Sequence, residues 1–259
     1  MPLRIAFDLD GVLADMESEL VRQAEILFGE TMTRRLQERV AEPDQTPGAV
    51  AADTGEQTSE VDGQAGPEAL ENTPPLLKLN MTSRQQRKLW RHVETLDNFW
   101  ETLEELEPGF IKRLAATATE RQWEIIFLTK RPQTSGSTAQ VQTQRWLQSR
   151  GFPLPSVFVV QGSRGRIADA LDLHIVVDDR PENCLDVVVD SQARSILVWR
   201  EDEKILPAGT RRLGIGVVKT AGECLDILIE VDSTETAAEH PGVMDRMRRL
   251  FGLKASNGV

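Results

Sequence analysis

The chain alternates between short apolar runs and longer stretches in which apolar residues recur every three to four positions. Five runs read as strands: 3–8 (LRIAFD), 123–128 (WEIIFL), 156–160 (SVFVV), 174–178 (HIVVD) and 195–199 (SILVW). They are rich in Val, Ile and Phe and show little apolar–polar alternation, as expected for parallel strands covered on both faces. Helices are predicted between them. One follows Pro108 over 109–120. A second runs over 138–150, from Thr138 to a stop at Gly151. A third, 164–172, follows Gly162 and Ser163, and a fourth opens on Pro181 over 181–190. A last helix at 220–231 closes the set. Strands and helices alternating at this spacing predict an α/β fold, a Rossmann-like parallel sheet with helices on both faces.

One gap breaks the alternation. More than 110 residues separate the first two strand candidates. Amphipathic helices are predicted at its two ends, over about 16–40 and 82–106. The second carries Leu89, Val93, Leu96 and Trp100 at helical spacing, with Thr82 or Ser83 as N-cap. The expected organisation is a core of 1–15 and 108–231, an α-helical cap of 16–107 inserted after the first strand, and a tail of 232–259. The insertion leaves the carboxyl end of a strand, where open α/β sheets bind ligands. In the tail, "GVMDRMRRLFGLK" reads as a short basic amphipathic helix docked on its own domain.

Charge changes this picture in one place. The net charge is −11. Residues 41–75 hold eight acids and no Lys or Arg, are rich in Pro, Gly, Ala and Thr, and lack aromatics. Such a segment buries too little apolar area to offset its ordering entropy, so it reads as a disordered acidic insertion within the cap. Without those eight acids, 33 acidic residues face 30 basic ones, a net of −3. The rest of the chain is nearly balanced and has no basic stripe, so bulk nucleic-acid binding is not expected. No apolar run approaches the roughly 18 residues of a membrane helix, and Arg4 interrupts any secretory leader. Cys184 and Cys224 read as reduced, partly buried thiols, which fits a cytoplasmic protein. His92, His174 and His240 show no metal-ligand spacing.

The predicted strand ends gather the chemistry. The first run closes on "FDLDG", with Asp8 and Asp10; the second on "LTKRP", with Thr129 and Lys130. Beyond the third lie Ser163, Arg164 and Arg166 in "QGSRGR"; the fourth closes on "DDRPEN", with Asp178 and Asp179. Converging aspartates repel one another unless a hard cation offsets their charge. Mg²⁺ takes oxygen ligands and suits carboxylates beside a substrate phosphate. An Asp can act as nucleophile through an aspartyl-phosphate, and a second carboxylate as acid and base. A Thr and a cation would bind the non-bridging oxygens. A capping role of Asp178 and Asp179 ahead of Pro181 is the plainer alternative. Arg131 and Arg180, each before a Pro, read as braces of these loops. Trp90, Phe99 and Trp100 read as the core of the cap rather than as a platform for a base.

"FDLDGVLAD", "LTKRP" and "VVDDRPEN" resemble motifs one, two and four of the haloacid dehalogenase-like (HAD) phosphohydrolase superfamily. With "NFWETLEELEPG" at 98–109, they are most similar to its 5′-nucleotidase, deoxyribonucleotidase-related branch. The resemblance covers about 1–15 and 98–200. It implies Asp8 as nucleophile and metal ligand. It implies Asp10 as general acid/base, with its backbone carbonyl on the metal. It implies Thr129 on the phosphate, Asp178 on the metal, and Asp179 on it directly or through water. Motif three departs from the family: a Lys is expected, and Arg164 and Arg166 stand there instead. Lys130 is the less favoured substitute, since neighbouring strand-end residues point in different directions. The implied activity is Mg²⁺-dependent phosphomonoester hydrolysis on a small phosphorylated substrate, such as a nucleoside 5′-monophosphate. The rivals are a phosphatase acting on nucleic-acid phosphate ends and a catalytically weakened binding protein. The sequence leaves the oligomeric state open.

Overall fold

A computed structural model describes residues 2–41 and 79–236. The acidic segment and the tail helix expected from the sequence lie outside the described residues, apart from Ala41 and 232–236. The described chain forms two compact units. Of the described residues, one unit comprises 2–16 with 94–236, the other 17–41 with 79–93.

The first unit is built on six parallel strands: β1 (Arg4–Asp8), β2 (Glu124–Thr129), β3 (Ser156–Val159), β4 (Ile175–Asp178), β5 (Arg194–Val198) and β6 (Gly216–Val218). Their order is β3-β2-β1-β4-β5-β6, a Rossmann-like sheet. The strand direction of growth reverses beside β1, so the crevice between β1 and β4 is the topological switch point where such sheets bind ligands. The sheet interior explains the continuous apolar runs. Ile5, Ala6, Phe7, Phe127, Val177 and Ile196 are fully buried. Each large side chain among them contributes about 1.5–3 kcal/mol by leaving water.

Helices of this unit cover the sheet: α4 (Phe110–Arg121), α5 (Ala139–Ser149), α6 (Arg164–Ala170), α7 (Pro181–Asp190) and α8 (Ala221–Thr236). Phe110 of α4 packs edge-on against Phe7 at 6.3 Å. The caps follow from the residue types. Thr138 accepts from the Val141 N–H to open α5, and Ser163 accepts from the Arg166 N–H to open α6. Each such cap contributes about 1 kcal/mol.

The second unit holds α1 (Met16–Phe28), α2 (Glu30–Ala41) and α3 (Ser83–Glu94). Leu20, Ala24, Leu36, Leu89 and Val93 are buried, and His92 meets the Gln23 amide at 3.1 Å.

Three expectations are corrected. The helix expected over 16–40 is two helices, because Gly29 takes a left-handed φ of +85° that ends the first. The helix expected over 82–106 stops at Glu94. Asn98 adopts φ 52°, a short 3₁₀ turn covers Phe99–Glu101, and the chain then runs irregularly. Tertiary partners hold this stretch in the sheet unit rather than with the helices. The Leu106 N–H donates to the Leu13 carbonyl, the Asp15 N–H to Glu104, and the Trp100 N–H to the Gln142 side chain. Finally, β6 has three residues, too few for the apolar pattern to reveal.

Candidate active site

The strand register sets the site. Asp8 pairs with Leu128, one residue before Thr129; Phe7 pairs with Val177, one residue before Asp178. Asp8, Thr129 and Asp178 therefore end three adjacent strands at one edge, with Asp8 and Asp178 across the switch point.

Beyond β1 the chain turns sharply. The N–H groups of Leu13 and Ala14 both donate to the Leu9 carbonyl. Gly11 has φ +88°, and a Cβ there would stand 1.9 Å from Asp179 Oδ2. Glycine is thus required on two counts, backbone conformation and close approach. Arg200, just past β5, donates to the carbonyls of Gly11 and Val12 and pairs with Glu107 at 3.1 Å. The Glu107 carboxylate also accepts the first N–H groups of α8, from Ala221 and Gly222. This places a negative charge at a helix N-terminus, where the dipole favours it. Sequence reading did not single out Glu107 or Arg200, whose link crosses 93 positions.

Asp10 lies just outside the strand. Arg131 holds it with a two-pronged ion pair, Nη2 to Oδ1 at 2.7 Å and Nε to Oδ2 at 2.9 Å. Thr129 Oγ1 lies 3.3 Å from Asp10 Oδ2. Arg131 thus braces, as its sequence position suggested. Arg180 contributes its backbone, its N–H donating to Asp178 Oδ1 at 2.9 Å.

The opposite flank is more crowded. Arg164 is 2% exposed. Its Nη2 donates to Asp8 Oδ1 at 2.5 Å, and its Nε lies 3.6 Å from Asp178 Oδ2. Its Nε and Nη1 are buried without a hydrogen-bond partner. Asn183, in the first turn of α7, donates to both Asp178 oxygens at 3.0 Å. Asn183 stood in the quoted "DDRPEN", but its role needs the fold of that turn to be seen.

Burial dominates the electrostatics. It pushes the Asp8 carboxyl well above the usual range, with the neighbouring Asp178 adding to the rise and Arg164 opposing it. Burial likewise raises Asp178, against the pull of Arg164 and Asn183. Asp179 is pushed up to about 8 by burial and then by Asp178, against the pull of Arg180, and its Oδ1 is sealed from solvent with no hydrogen-bond partner.

Arg166 does not join the group. It is exposed, because residues two apart on a helix stand about 200° apart, so burying Arg164 turns Arg166 outward. Lys130 is half-buried, and no hydrogen bond or ion pair of its side chain occurs among the described residues. Phe99 and Trp100 are buried, their rings edge-to-face at 4.9 Å. The sequence reading gave these two to the cap's core; they pack in the sheet unit.

The donor set suits a hard cation. Asp8, Asp178 and Asp179 offer carboxylate oxygens on the β4 flank, and the Asp179 Oδ1 is a buried acceptor that receives no hydrogen bond. Among the described residues no three acidic, His or Cys side chains already close around one point. Arg164 and Asn183 engage the oxygens of Asp8 and Asp178. Among the same residues, no helix is long and apolar enough to cross a membrane.

No family model matches the chain, and no curated protein matches it. Solved structures do. A haloacid dehalogenase-like family hydrolase from Xanthomonas campestris is 14% identical with a TM-score of 0.45, covering 91% of this chain and 98% of its own. A HAD family hydrolase from Deinococcus radiodurans R1, with bound phosphate and sodium, is 14% identical with a TM-score of 0.45, covering 90% and 97%. A phosphonoacetaldehyde hydrolase-like protein from Oleispira antarctica is 13% identical with a TM-score of 0.46, covering 93% and 96%. At these values they decide nothing about activity, which has to be read from the chain's own residues.

Proposed function

We propose that this chain is a Mg²⁺-dependent phosphomonoester hydrolase of the HAD-like kind, working through an aspartyl-phosphate. The observation that carries this reading is the gathering of Asp8, Asp10, Thr129, Arg164 and Asp178 at the ends of β1, β2 and β4 and the start of α6. A nucleophile, an acid/base, a hydroxyl and a buried guanidinium meet there, at the switch point of an open α/β sheet. The sequence motifs that resemble the superfamily fall on Asp8, Asp10, Thr129 and Asp178 among these residues.

Asp8 attacks phosphorus in line, forming the Asp8–phosphorus bond as the bond to the ester oxygen breaks. Asp10 gives its proton to the departing oxygen, then takes one from water as that water attacks phosphorus. The Asp8–phosphorus bond breaks, inorganic phosphate leaves, and Asp8 is restored. Thr129 and Arg164, whose Nη1 and Nε make no hydrogen bond, supply donors for the non-bridging oxygens. Asp8, Asp178 and the Asp10 carbonyl would hold the cation, with Asp179 ligating directly or through water. When bound, the cation offsets the aspartates' charge and that developing on the phosphoryl group. Arg164 takes the place where the superfamily has Lys; its planar fork engages Asp8 and leaves donors over for a phosphate.

The substrate class we favour is a nucleoside 5′-monophosphate or a similar small phosphate ester. A release assay over mononucleotides, sugar phosphates and 5′-phosphorylated oligonucleotides, with Mg²⁺ and with EDTA, tests this. Mg²⁺-dependent phosphate release from small esters is expected, uninhibited by oligonucleotides. Release only from oligonucleotide ends would replace the substrate class. Mg²⁺ binding without any release would favour the binding-protein reading.

A further inference from the structure

We propose that Arg131 is the positioning residue for Asp10, fixing the plane of its carboxylate from inside a slot of two tryptophans; this rests on the hydrolase reading above. Asp10 needs such a brace. The β1 ladder ends at Asp8, and Asp10 keeps only an isolated bridge to Ala14. Arg131 supplies the missing constraint. Its Nε and Nη2 grip both oxygens of Asp10. Its third corner, Nη1, donates to Thr143 Oγ1 at 2.9 Å.

The slot is itself fixed. The guanidinium lies 4.9 Å from the Trp100 ring centre and 5.7 Å from that of Trp146. The indole N–H of Trp100 donates to the Pro132 carbonyl, and that of Trp146 to Leu103. Thr143 Oγ1 donates to the Ala139 carbonyl. The Arg131 side chain is fully buried, whereas that of Asp10 is 13% exposed. Arg131 therefore acts on the reaction through Asp10 and not by touching substrate. A fork holding both oxygens sets an orientation, which a point charge cannot do.

Para-nitrophenyl phosphate separates the two half-reactions. Its phenolate leaves without a proton, while hydrolysis of phosphorylated Asp8 still needs water aligned by Asp10. With Mg²⁺, Arg131→Gln is expected to release nitrophenol in a burst equal to the enzyme present. Steady turnover then runs about 100-fold below wild type, the scale of a lost general base. Phosphate stays on Asp8, seen as an adduct by intact mass. Asp10→Asn gives the same burst, and the double variant is no slower than either single one. Arg131→Lys shows the burst as well, and Thr143→Val a weaker one. If Arg131→Gln fails to fold by circular dichroism, these last two decide the matter in the same assay. Wild-type turnover in a folded Arg131 variant, or equal loss of burst and steady rate, would overturn this inference alone. A wild-type protein that releases no nitrophenol would overturn the hydrolase reading, and this inference with it.

Discussion

The two flanks of the β1 tip treat their carboxylates in opposite ways. On the β2 side, Asp10 has a dedicated arginine, a threonine beside it and a slot of tryptophans behind. On the β4 side, Asp8 and Asp178 share Arg164, a fully buried guanidinium, with Asp179 beside Asp178. An Asp179 oxygen and two Arg164 nitrogens are left without hydrogen bonds. One flank is complete as folded; the other is short of partners of both signs. A buried carboxylate without a cation is costly, and so is a buried guanidinium nitrogen without an acceptor. A bound cation and a phosphate together would satisfy both. The contrast suggests a division of labour, in which the paired flank keeps a geometry and the unpaired flank receives the ligands.

The largest effect expected from breaking this contrast is on the unpaired flank. Arg164→Met removes its buried cation and should lower phosphate release by about 10³-fold, the scale of a lost charge-stabilising donor. Arg166→Met, two residues on but exposed, should change release by less than about twofold. Steady-state assays of the two variants side by side check this. Equal losses would mean that Arg164 and Arg166 are not distinguished by burial.

Gly11→Ala should come next. It forces a side chain into a positive φ and against Asp179, so a loss of about 2–3 kcal/mol is expected in urea unfolding. A variant as stable as wild type would mean that the Gly11 loop yields easily.

The pH dependence sharpens the charge side of the comparison. Burial raises the folded pKa of Asp8, Asp178 and Asp179, the last to about 8, while an unfolded Asp titrates near 4. Their contribution to stability is complete below about pH 4 and is lost as pH rises through the folded values. Protein in EDTA should thus become less stable from about pH 4 to about 8. Mg²⁺ should raise the melting temperature by about 5 °C at pH 8 and much less at pH 5. A Mg²⁺ shift that is the same at both values would argue that the cation binds elsewhere.

The smallest effect concerns the thiols. Burial pushes Cys184 and Cys224 well above the usual thiol range. Both should resist an aromatic disulfide reagent at pH 8 in the native protein and react fully in denaturant. Fast native labelling of either would show local opening near α7 or α8.

Much of this was legible in the sequence, for a physical reason. Parallel strands buried on both faces leave unbroken apolar runs, so five of six strands and their polar ends could be read directly. Asp8, Thr129 and Asp178 stand where a run stops, a local signal. What escaped depends on phase and on distant partners. Arg164 and Arg166 look alike until the rotation of α6 is known. Arg131 looked like a loop brace, and its grip on Asp10 spans 121 positions. Residues 95–107 carry apolar spacing that mimics a continued helix, but backbone bonds to the β1 loop and to Gln142 hold them in another shape. The brace from Arg200 through Glu107 to α8 had no sequence signature at all.

The most direct measurement is Mg²⁺-dependent phosphate release from an aryl phosphate by wild-type protein and by Asp8→Asn, both shown to be folded. If Asp8 is the nucleophile, wild type releases phosphate and the variant falls by about 10⁴-fold or more, to background. Unchanged turnover in Asp8→Asn would contradict the assignment of this strand tip as the catalytic centre.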